Sequence, residues 1–134
     1  HRRHTLESCS DYARSFETSA DYFWAIVAHD PALGHIGNIT ATLNVANKVA
    51  DLAILIGESE ARGKGFGVEA WRRACAFLLG EGRIRKVTAG TMAINEPMLR
   101  VMRGAGMTEE GRKSRQFLVD GVEVDAVYFA RFAP

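Results

Sequence analysis

The sequence predicts one α/β domain of the α+β kind, in which helices flank a mixed, mostly antiparallel twisted sheet. Three observations support this fold class. An apolar strand, a glycine-rich turn and an amphipathic helix follow one another near the middle of the chain; strand-like segments precede them, and a strong hairpin signal lies near the end. The chain has 134 residues, about the length of one domain, and contains no repeat or linker, so we assign residues 1–134 to a single domain.

The first third of the chain predicts a short helix followed by two strands. Apolar residues on one helix face end near residue 16; they are Leu6, Cys9, Ala13 and Phe16. Residues 22–28 are aromatic and β-branched, which is typical of a strand, and residues 29–31 indicate a turn. In residues 35–43 apolar and polar side chains alternate, which indicates a half-buried strand, and residues 44–48 turn the chain into the next one.

The middle of the chain predicts a buried strand and an amphipathic helix. Residues 52–56 are a continuous apolar run too short for a helix, which favours a strand buried on both faces. From residue 68 to about residue 80, apolar side chains recur on one helix face; they are Val68, Trp71, Ala74, Cys75 and Leu78. A glycine-rich turn joins these two elements.

The turn has the composition of an anion-binding loop. Gly63, Gly65 and Gly67 allow positive φ and let a ligand approach the backbone amides closely. Unpaired N–H groups and the positive end of the helix dipole would point at one place, which suits a phosphate. Arg62 and Lys64 add two cations, so these residues predict a cradle for a pyrophosphate.

Two common phosphate-binding patterns do not fit this turn. A P-loop requires Lys and then Ser or Thr after its last glycine, whereas Gly67 is followed by Val68 and Glu69. A Rossmann fingerprint requires Gly-x-Gly-x-x-Gly, and the spacing of Gly63, Gly65 and Gly67 is different. On the residues alone, a glycine turn with a purely structural role remains an alternative.

The last third predicts a strand, a helix and a hairpin. A strand over residues 85–91 precedes Asn95-Glu96-Pro97, which resembles a helix start with an Asn cap and a Pro in the first turn. The apolar face of this helix and the glycines that close it are Met98, Val101, Met102, Ala105, Gly104 and Gly106. Residues 107–119 and 122–132 predict two strands joined by Asp120-Gly121, a strong type I′ hairpin signal.

Composition excludes several classes of function. The net charge is +1, so no global field favours nucleic acid or a membrane surface. Cys9 and Cys75 have no metal-binding or redox spacing, so we expect no metal site and a reducing, cytoplasmic setting. No apolar run approaches the length of about eighteen residues that a membrane span needs.

A family resemblance goes further than these residues alone. Arg62-x-x-Gly65-x-Gly67 after an apolar strand resembles the Arg/Gln-x-x-Gly-x-Gly/Ala signature of the GNAT superfamily, the acetyl-CoA-dependent N-acetyltransferases. This resemblance implies a GNAT-like sheet flanked by helices. The family's first strand and the helices after it would precede residue 1, so we expect the chain to be truncated at its N terminus.

A second motif supports the resemblance. Asn95, followed by Met98, Met102 and Gly106-Met107, is similar to the GNAT helix motif Asn-x-x-Ala-x-x-x-Tyr-x-x-x-Gly-Phe, which packs beside the cofactor. Further matches indicate the branch with ribosomal-protein N-terminal acetyltransferases and amino-sugar acetyltransferases; they are Ile36-Gly37-Asn38, Ala50-Asp51-Leu52, Ile56-Gly57 and Glu109-Glu110-Gly111.

The resemblance implies a reaction and a set of cofactor contacts. The chain would transfer an acetyl group from acetyl-CoA to a primary amine, either a peptide N-terminus or an amino sugar. Asn95 would contact the cofactor from one side of a cleft. The pantetheine arm and the pyrophosphate would contact a strand and the turn after it; these residues are Ile54, Leu55, Ile56, Arg62, Gly63, Lys64, Gly65, Phe66 and Gly67.

The resemblance also suggests catalytic groups. Asp51 matches the acidic position that opens the cofactor strand and could accept the amine proton, although a solvent-facing acid at a strand start is the alternative. His35 is a second candidate base. Met102 stands where many GNAT enzymes carry a Tyr taken as the general acid, and methionine cannot donate a proton. Either Tyr128 serves instead, or the thiolate leaves unassisted because a thiol has a low pKa.

Two further expectations concern partners. The alternative to an enzyme is a non-catalytic CoA-binding or interaction module that has kept the cradle and lost the acid. The last two strands could extend a sheet across a homodimer. Acetyl-CoA and an amine are the expected partners, with no nucleic acid and no membrane.

Overall fold

A computed structural model describes residues 21–27, 34–56 and 66–134 of the chain. The described elements, in chain order, are β1 (Tyr22–Val27), β2 (His35–Asn44), β3 (Val49–Ile56), α1 (Phe66–Leu79), β4 (Lys86–Met92), α2 (Glu96–Gly104), β5 (Thr108–Val119) and β6 (Val122–Phe132). The helix predicted up to residue 16 and the turn predicted at residues 29–31 lie outside the described residues.

Six described strands form one sheet in the order β1-β2-β3-β4-β6-β5. In the described part of the sheet, the β3–β4 pair is parallel and the other four neighbouring pairs are antiparallel. The predicted mixed, mostly antiparallel sheet flanked by helices is therefore confirmed. No helix in the described ranges is both long and apolar enough to cross a membrane.

Helix α1 buries the predicted apolar stripe against one face of the sheet. Trp71, Cys75 and Leu78 are fully buried, and the Trp71 indole N–H donates to the Sδ of Met107 at 3.1 Å. On the same face, Phe77 makes edge contacts with the rings of two residues of β1, at centroid distances of 5.5 and 5.8 Å. Burial of this aromatic and aliphatic surface fixes α1 on the sheet.

Strand β3 is not buried on both faces, and this corrects the prediction for residues 52–56. Ala50 and Leu52 are buried towards α1, whereas Asp51 and Ala53 are exposed on the opposite face. The run looked continuous because Ala53 is apolar but small enough to remain exposed. The pattern has the period of two expected of a half-buried strand.

The predicted local signals in the last third of the chain are confirmed. Asp120 and Gly121 have φ of 48° and 78°, the two positive values that a type I′ turn requires. The Oδ1 of Asn95 accepts a hydrogen bond from the Met98 N–H at 3.2 Å and caps α2, with Pro97 in the first turn.

Candidate active site

The parallel strands β3 and β4 separate after three pairs of residues. Their pairing runs from Val49 and Lys86 to Asp51 and Thr88, and then stops although both strands continue. Beyond this point β3 stays paired with β2 as far as Ile56, and β4 stays paired with β6 as far as Met92. We call the wedge between residues 52–56 and residues 89–92 the cleft.

The facing edges of the cleft carry backbone groups without a strand partner. Each strand uses its outer edge to pair with β2 or β6, so among the described residues the inner N–H and C=O groups past the Asp51–Thr88 pair have no strand partner. Such an edge can pair with an extended ligand that carries amide groups, in the manner of an added strand.

The N terminus of α1 lies at the open end of the cleft. After Leu79 the chain reaches β4 at Lys86, so the C-terminal end of α1 is near the closed end. A helix of 14 residues extends about 20 Å, which carries its first turn back to the open end. That turn packs on α2, because a Cβ on Gly104 would lie 2.9 Å from Cγ1 of Val68.

Asp51 lies at the closed end of the cleft. Thr88 donates a hydrogen bond from its Oγ1 to the Asp51 Oδ1 at 2.8 Å, across the last pair that joins the two strands. Much of this side chain is exposed, but the surrounding protein removes enough hydration to raise the pKa of the carboxyl above its ordinary value, and the Thr88 hydrogen bond lowers it in part.

Tyr128 lies on β6, next to the strand that forms the other wall of the cleft. It pairs with Gly90 across β6 and β4, and its ring leans over that glycine. A Cβ added to Gly90 would be 2.8 Å from Cε1 and 2.9 Å from Cδ1 of the ring. The Nζ of Lys113 lies 5.5 Å from the centroid of this ring.

Asn95 and Met102 have clear structural roles. Besides capping α2 through its Oδ1, Asn95 donates from Nδ2 to the Oγ1 of Thr91 at 3.1 Å. This side chain follows the open end of β4, and within the described ranges only one of its two amide N–H groups has a hydrogen-bond acceptor. Met102 is fully buried in the core, so the helix position that carries a Tyr in many GNAT enzymes does not reach the cleft.

The structure does not place His35 next to Asp51. Asp51 pairs with Thr42, which lies seven residues further along β2 than His35. The Nε2 of His35 is held locally, 2.8 Å from the Gly37 carbonyl oxygen and 2.9 Å from the Asn38 Oδ1. The geometry gives this histidine no part in a catalytic pair with Asp51.

The glycine-rich turn that is predicted to bind a pyrophosphate lies mostly outside the residues that the structure describes. Residues 57–65, with Arg62, Gly63, Lys64 and Gly65, are among the residues not described. Gly67 is buried in the first turn of α1. The described residues place Ile54 on β3, along the cleft, so it lies on the strand from which that turn departs.

Thr88 and Gly90 are site residues that the sequence did not reveal. Both lie in residues 86–92, whose pattern predicted only a strand. In the sequence, Thr88 looks like any residue of a half-buried strand, in which every second side chain points to the same face. A glycine within a strand, such as Gly90, can equally mark a bulge. Neither role can be recognised until the partner strand and its register are known.

A cavity of about 360 Å³ lies away from the cleft. Its wall includes Trp24 and Ile39 from the sheet and Phe77 from α1, so it is on the sheet face opposite Asp51. The two charged side chains at its edge, Glu69 and Arg73, form an ion pair at 2.8 Å. This apolar cavity offers no unpaired acid or base for chemistry.

Among the described residues no group of three or more metal-binding side chains occurs.

A known family matches most of the chain. The profile of a family described as "Acetyltransferase (GNAT) domain" matches residues 1–108. No protein with a curated description matches the chain.

Solved structures share the fold. A structure named "Probable acetyltransferase" superposes with a TM-score of 0.77 at 22% identity, covering 92% of this chain and 68% of its own. The F149A form of spermidine N-acetyltransferase SpeG from Vibrio cholerae gives 0.77 at 18% identity, covering 96% and 76%. A protein assigned as a phosphinothricin N-acetyltransferase gives 0.73 at 24% identity, covering 98% and 82%.

Proposed function

This chain belongs to the GNAT acetyltransferase family and is an acetyl-CoA-dependent N-acetyltransferase, and we propose that it acetylates a primary amine with Asp51 as the base. The observation that carries this proposal is the position of Asp51 where β3 and β4 separate. At that point a carboxylate and two unpaired strand edges meet, so a thioester lying in the cleft and an amine beside Asp51 would come together.

The cleft suits the pantetheine arm of acetyl-CoA. Pantetheine is extended and contains two amide groups, which can pair with the inner edge of β3 at Ile54, Leu55 and Ile56. Backbone N–H groups on the same edge would stabilise the oxyanion that forms on the acetyl carbonyl. The family match supports this placement, and Asn95 at the open end of β4 is the expected contact on the other side.

The pyrophosphate of acetyl-CoA would bind at the open end of the cleft. The first turn of α1 lies there, and the N–H groups of a helix N terminus favour an anion. Arg62, Gly63, Lys64, Gly65 and Phe66 precede or open this helix in the sequence and supply the predicted cradle.

Asp51 would accept the proton that the amine loses. A free amine attacks the thioester, so the ammonium form of the acceptor must first be deprotonated, directly or through one water. The raised pKa of Asp51 makes its carboxylate a better base than an ordinary surface aspartate. The hydrogen bond from Thr88 keeps one oxygen fixed and leaves the other for the amine.

The acceptor would approach from the sheet face that carries Asp51. Peptide N-termini and amino sugars are the two acceptor types indicated by the sequence motifs. The structural neighbours add spermidine and phosphinothricin as amines acetylated on the same fold, and these four acceptors share a primary amine.

A panel of amines tests the proposal. The chain is mixed with acetyl-CoA and one peptide, one amino sugar, spermidine or phosphinothricin, and both CoA release and the acetylated product are measured. We expect one class to give product, with much less from Asp51→Asn. Saturable acetyl-CoA binding without product from any amine would instead support the alternative, a non-catalytic CoA-binding module.

The expected homodimer through the last strands remains a prediction. Strand β5 is an edge of the sheet and has register shifts between Glu109 and Gly111 and between Lys113 and Phe117. Such irregularities, together with charged side chains, usually discourage pairing of exposed edges. Size-exclusion chromatography with light scattering would decide the oligomeric state.

A further inference from the structure

Thr42 on β2 is the direct cross-strand neighbour of Asp51 on β3. The next pair along these strands, Ala41 and Leu52, is buried towards α1. Because side chains alternate along a strand, Thr42 and Asp51 share the opposite face, and both are exposed there. Thr88 flanks Asp51 from the other side, on β4. The carboxylate therefore lies between two threonines on neighbouring strands.

The two threonine hydroxyl groups differ in what they bind. Thr88 donates its proton to the Asp51 Oδ1 at 2.8 Å. The Thr42 hydroxyl has no hydrogen-bond partner in the part of the chain that the structure describes. A hydroxyl group carries two lone pairs and one rotatable proton, so Thr42 can accept a hydrogen bond from a ligand and donate one to water. The second oxygen of Asp51 and the hydroxyl of Thr42 thus offer two acceptors on one exposed face.

The spacing of this pair suits a single nitrogen atom. Directly opposite residues of antiparallel strands have Cβ atoms about 4.5–5.5 Å apart. A nitrogen that donates at about 2.9 Å to each of two oxygens, with a tetrahedral angle between the bonds, holds those oxygens about 4.7 Å apart. Within the described ranges Thr42 and Asp51 form no direct hydrogen bond, so an amine can lie between them.

The way from this pair to the cleft is open. Ala53 is the next residue of β3 on the exposed face, and it lies on the wall of the cleft. Its side chain is a single methyl group and is itself exposed. An acceptor held at Asp51 can therefore approach a thioester along the inner edge of β3 without crossing a large side chain.

We infer that Thr42 accepts a hydrogen bond from the acceptor nitrogen, orients its lone pair towards the thioester and makes the site prefer primary over secondary amines. This inference rests on the proposed acetyl transfer. A neutral primary amine has two N–H groups, one for Asp51 and one for Thr42, and its lone pair then faces the cleft. A secondary amine has one N–H, which Asp51 needs, so it gains nothing from Thr42.

Thr42 itself is unchanged by the reaction. The nitrogen forms a bond to the acetyl carbon, and one of its protons passes to Asp51. The bond between that carbon and sulfur breaks, and the sulfur leaves with the bonding electron pair as a thiolate, which takes a proton from water. Asp51 then releases its proton to water, and amine and thioester have become amide and thiol.

A purely structural role for Thr42 predicts different behaviour. Threonine is common on exposed strands because its branched side chain fits the pleated surface, and that role needs no hydroxyl. Thr42→Val keeps the branched shape and removes the hydroxyl, whereas Thr42→Ser keeps the hydroxyl and removes the branch. The two variants therefore separate the two roles.

The test uses the primary amine that the chain acetylates and the N-methyl derivative of that amine. Steady-state kinetics and melting temperature are measured for the wild-type chain, Thr42→Val, Thr42→Ser and Thr108→Val. The last variant is the matched control, because Thr108 is an exposed strand threonine on β5, at the far edge of the sheet from β1.

We expect Thr42→Val to lower kcat/KM for the primary amine by about 5-fold, the usual effect of one neutral hydrogen bond. The KM for acetyl-CoA and the melting temperature should not change. The N-methyl derivative should be affected little, so the preference for the primary amine should fall by the same factor. Thr42→Ser should restore most of the loss, and Thr108→Val should behave as the wild type.

The outcomes separate this inference from the function on which it rests. If the wild-type chain turns over no amine, the proposed function fails and the inference falls with it. If the wild type is active and Thr42→Val keeps both its kcat/KM and its preference, the inference alone is overturned. Equal losses in Thr42→Val and Thr42→Ser, or equal losses on both amines, would show a structural role and would also overturn it.

Discussion

Thr88 and Asp51 are joined by a 2.8 Å hydrogen bond across the last pair of residues that links β3 to β4. The bond marks the point where the sheet opens, and it fixes a carboxylate whose pKa burial has raised. The opening of the sheet and the position of this carboxylate both result from the end of the pairing between β3 and β4. The proposed cofactor cleft and the proposed base are therefore parts of the same structural feature.

Replacing Asp51 should separate activity from stability. We expect Asp51→Asn to lower kcat by about 10²-fold or more while acetyl-CoA binding, measured by calorimetry, stays the same. Folding favours the protonated form of Asp51, so this carboxyl supports stability at low pH and loses that contribution as pH rises through its raised pKa. The melting temperature of Asp51→Asn at neutral pH should therefore equal or exceed that of the wild type.

Glu81→Gln, in an exposed turn, is the control for the Asp51→Asn variant. Full kcat in Asp51→Asn across the pH range would remove Asp51 as the base.

Replacing Thr88 should shift the pH profile. The Thr88 hydrogen bond lowers the pKa of Asp51, so Thr88→Val should raise that pKa further. The base is active when deprotonated, and the acidic limb of kcat/KM should move to higher pH, with a smaller effect on the plateau. Thr88→Ser keeps the hydroxyl and should restore the wild-type profile. Identical limbs for Thr88→Val and wild type would show that this bond does not tune the active carboxyl.

A methyl group at Gly104 should disturb the junction of the two helices. The added Cβ would lie 2.9 Å from Cγ1 of Val68, a branched side chain with little freedom to move. We expect Gly104→Ala to destabilise the fold by about 1–3 kcal/mol and to weaken acetyl-CoA binding, because the first turn of α1 shifts. Val68→Ala should relieve the clash, so the double variant should recover part of the stability in urea unfolding. A more stable Gly104→Ala would mean that the usual helix benefit of alanine outweighs the contact.

Cys75 should be unreactive in the folded chain. Burial raises the pKa of its thiol to about 11, so almost no thiolate is present at neutral pH. In a Cys9→Ser background, we expect iodoacetamide to label Cys75 only as fast as the chain unfolds. Labelling should accelerate with urea along the unfolding transition, as measured by mass spectrometry. Rapid labelling without urea would contradict the packing of α1.

Local signals in the sequence were sufficient for most of the fold. Asp120-Gly121 specified its turn because type I′ geometry demands positive φ at both residues, and few residue pairs tolerate it. The apolar stripe of α1 and the Asn95 cap were equally local. Each depends on neighbours within one or two turns of chain, which is the range over which sequence patterns are informative.

The site was less predictable because it depends on pairing between distant segments. The sequence could place Asp51 at a strand start, but not at the point where β3 leaves β4. It could offer Tyr128 as a candidate, but not the packing of its ring beside Gly90, which is 38 positions earlier and adjacent only through the register of β4 and β6. The prediction that residues 52–56 are buried on both faces was wrong for the same reason. Whether a strand face is exposed depends on where the helices pack, and here they cover only one face of β3.

The most direct test of the account is hydrogen exchange along β3 with and without acetyl-CoA. If the pantetheine arm pairs with the unpaired edge of the cleft, saturating acetyl-CoA should slow exchange in residues 52–56, while the β5–β6 hairpin tip changes little. Asp51→Asn should show the same protection, since it keeps the edge. Saturating binding with no slowing of exchange in residues 52–56 would place the cofactor elsewhere and contradict the cleft as the active site.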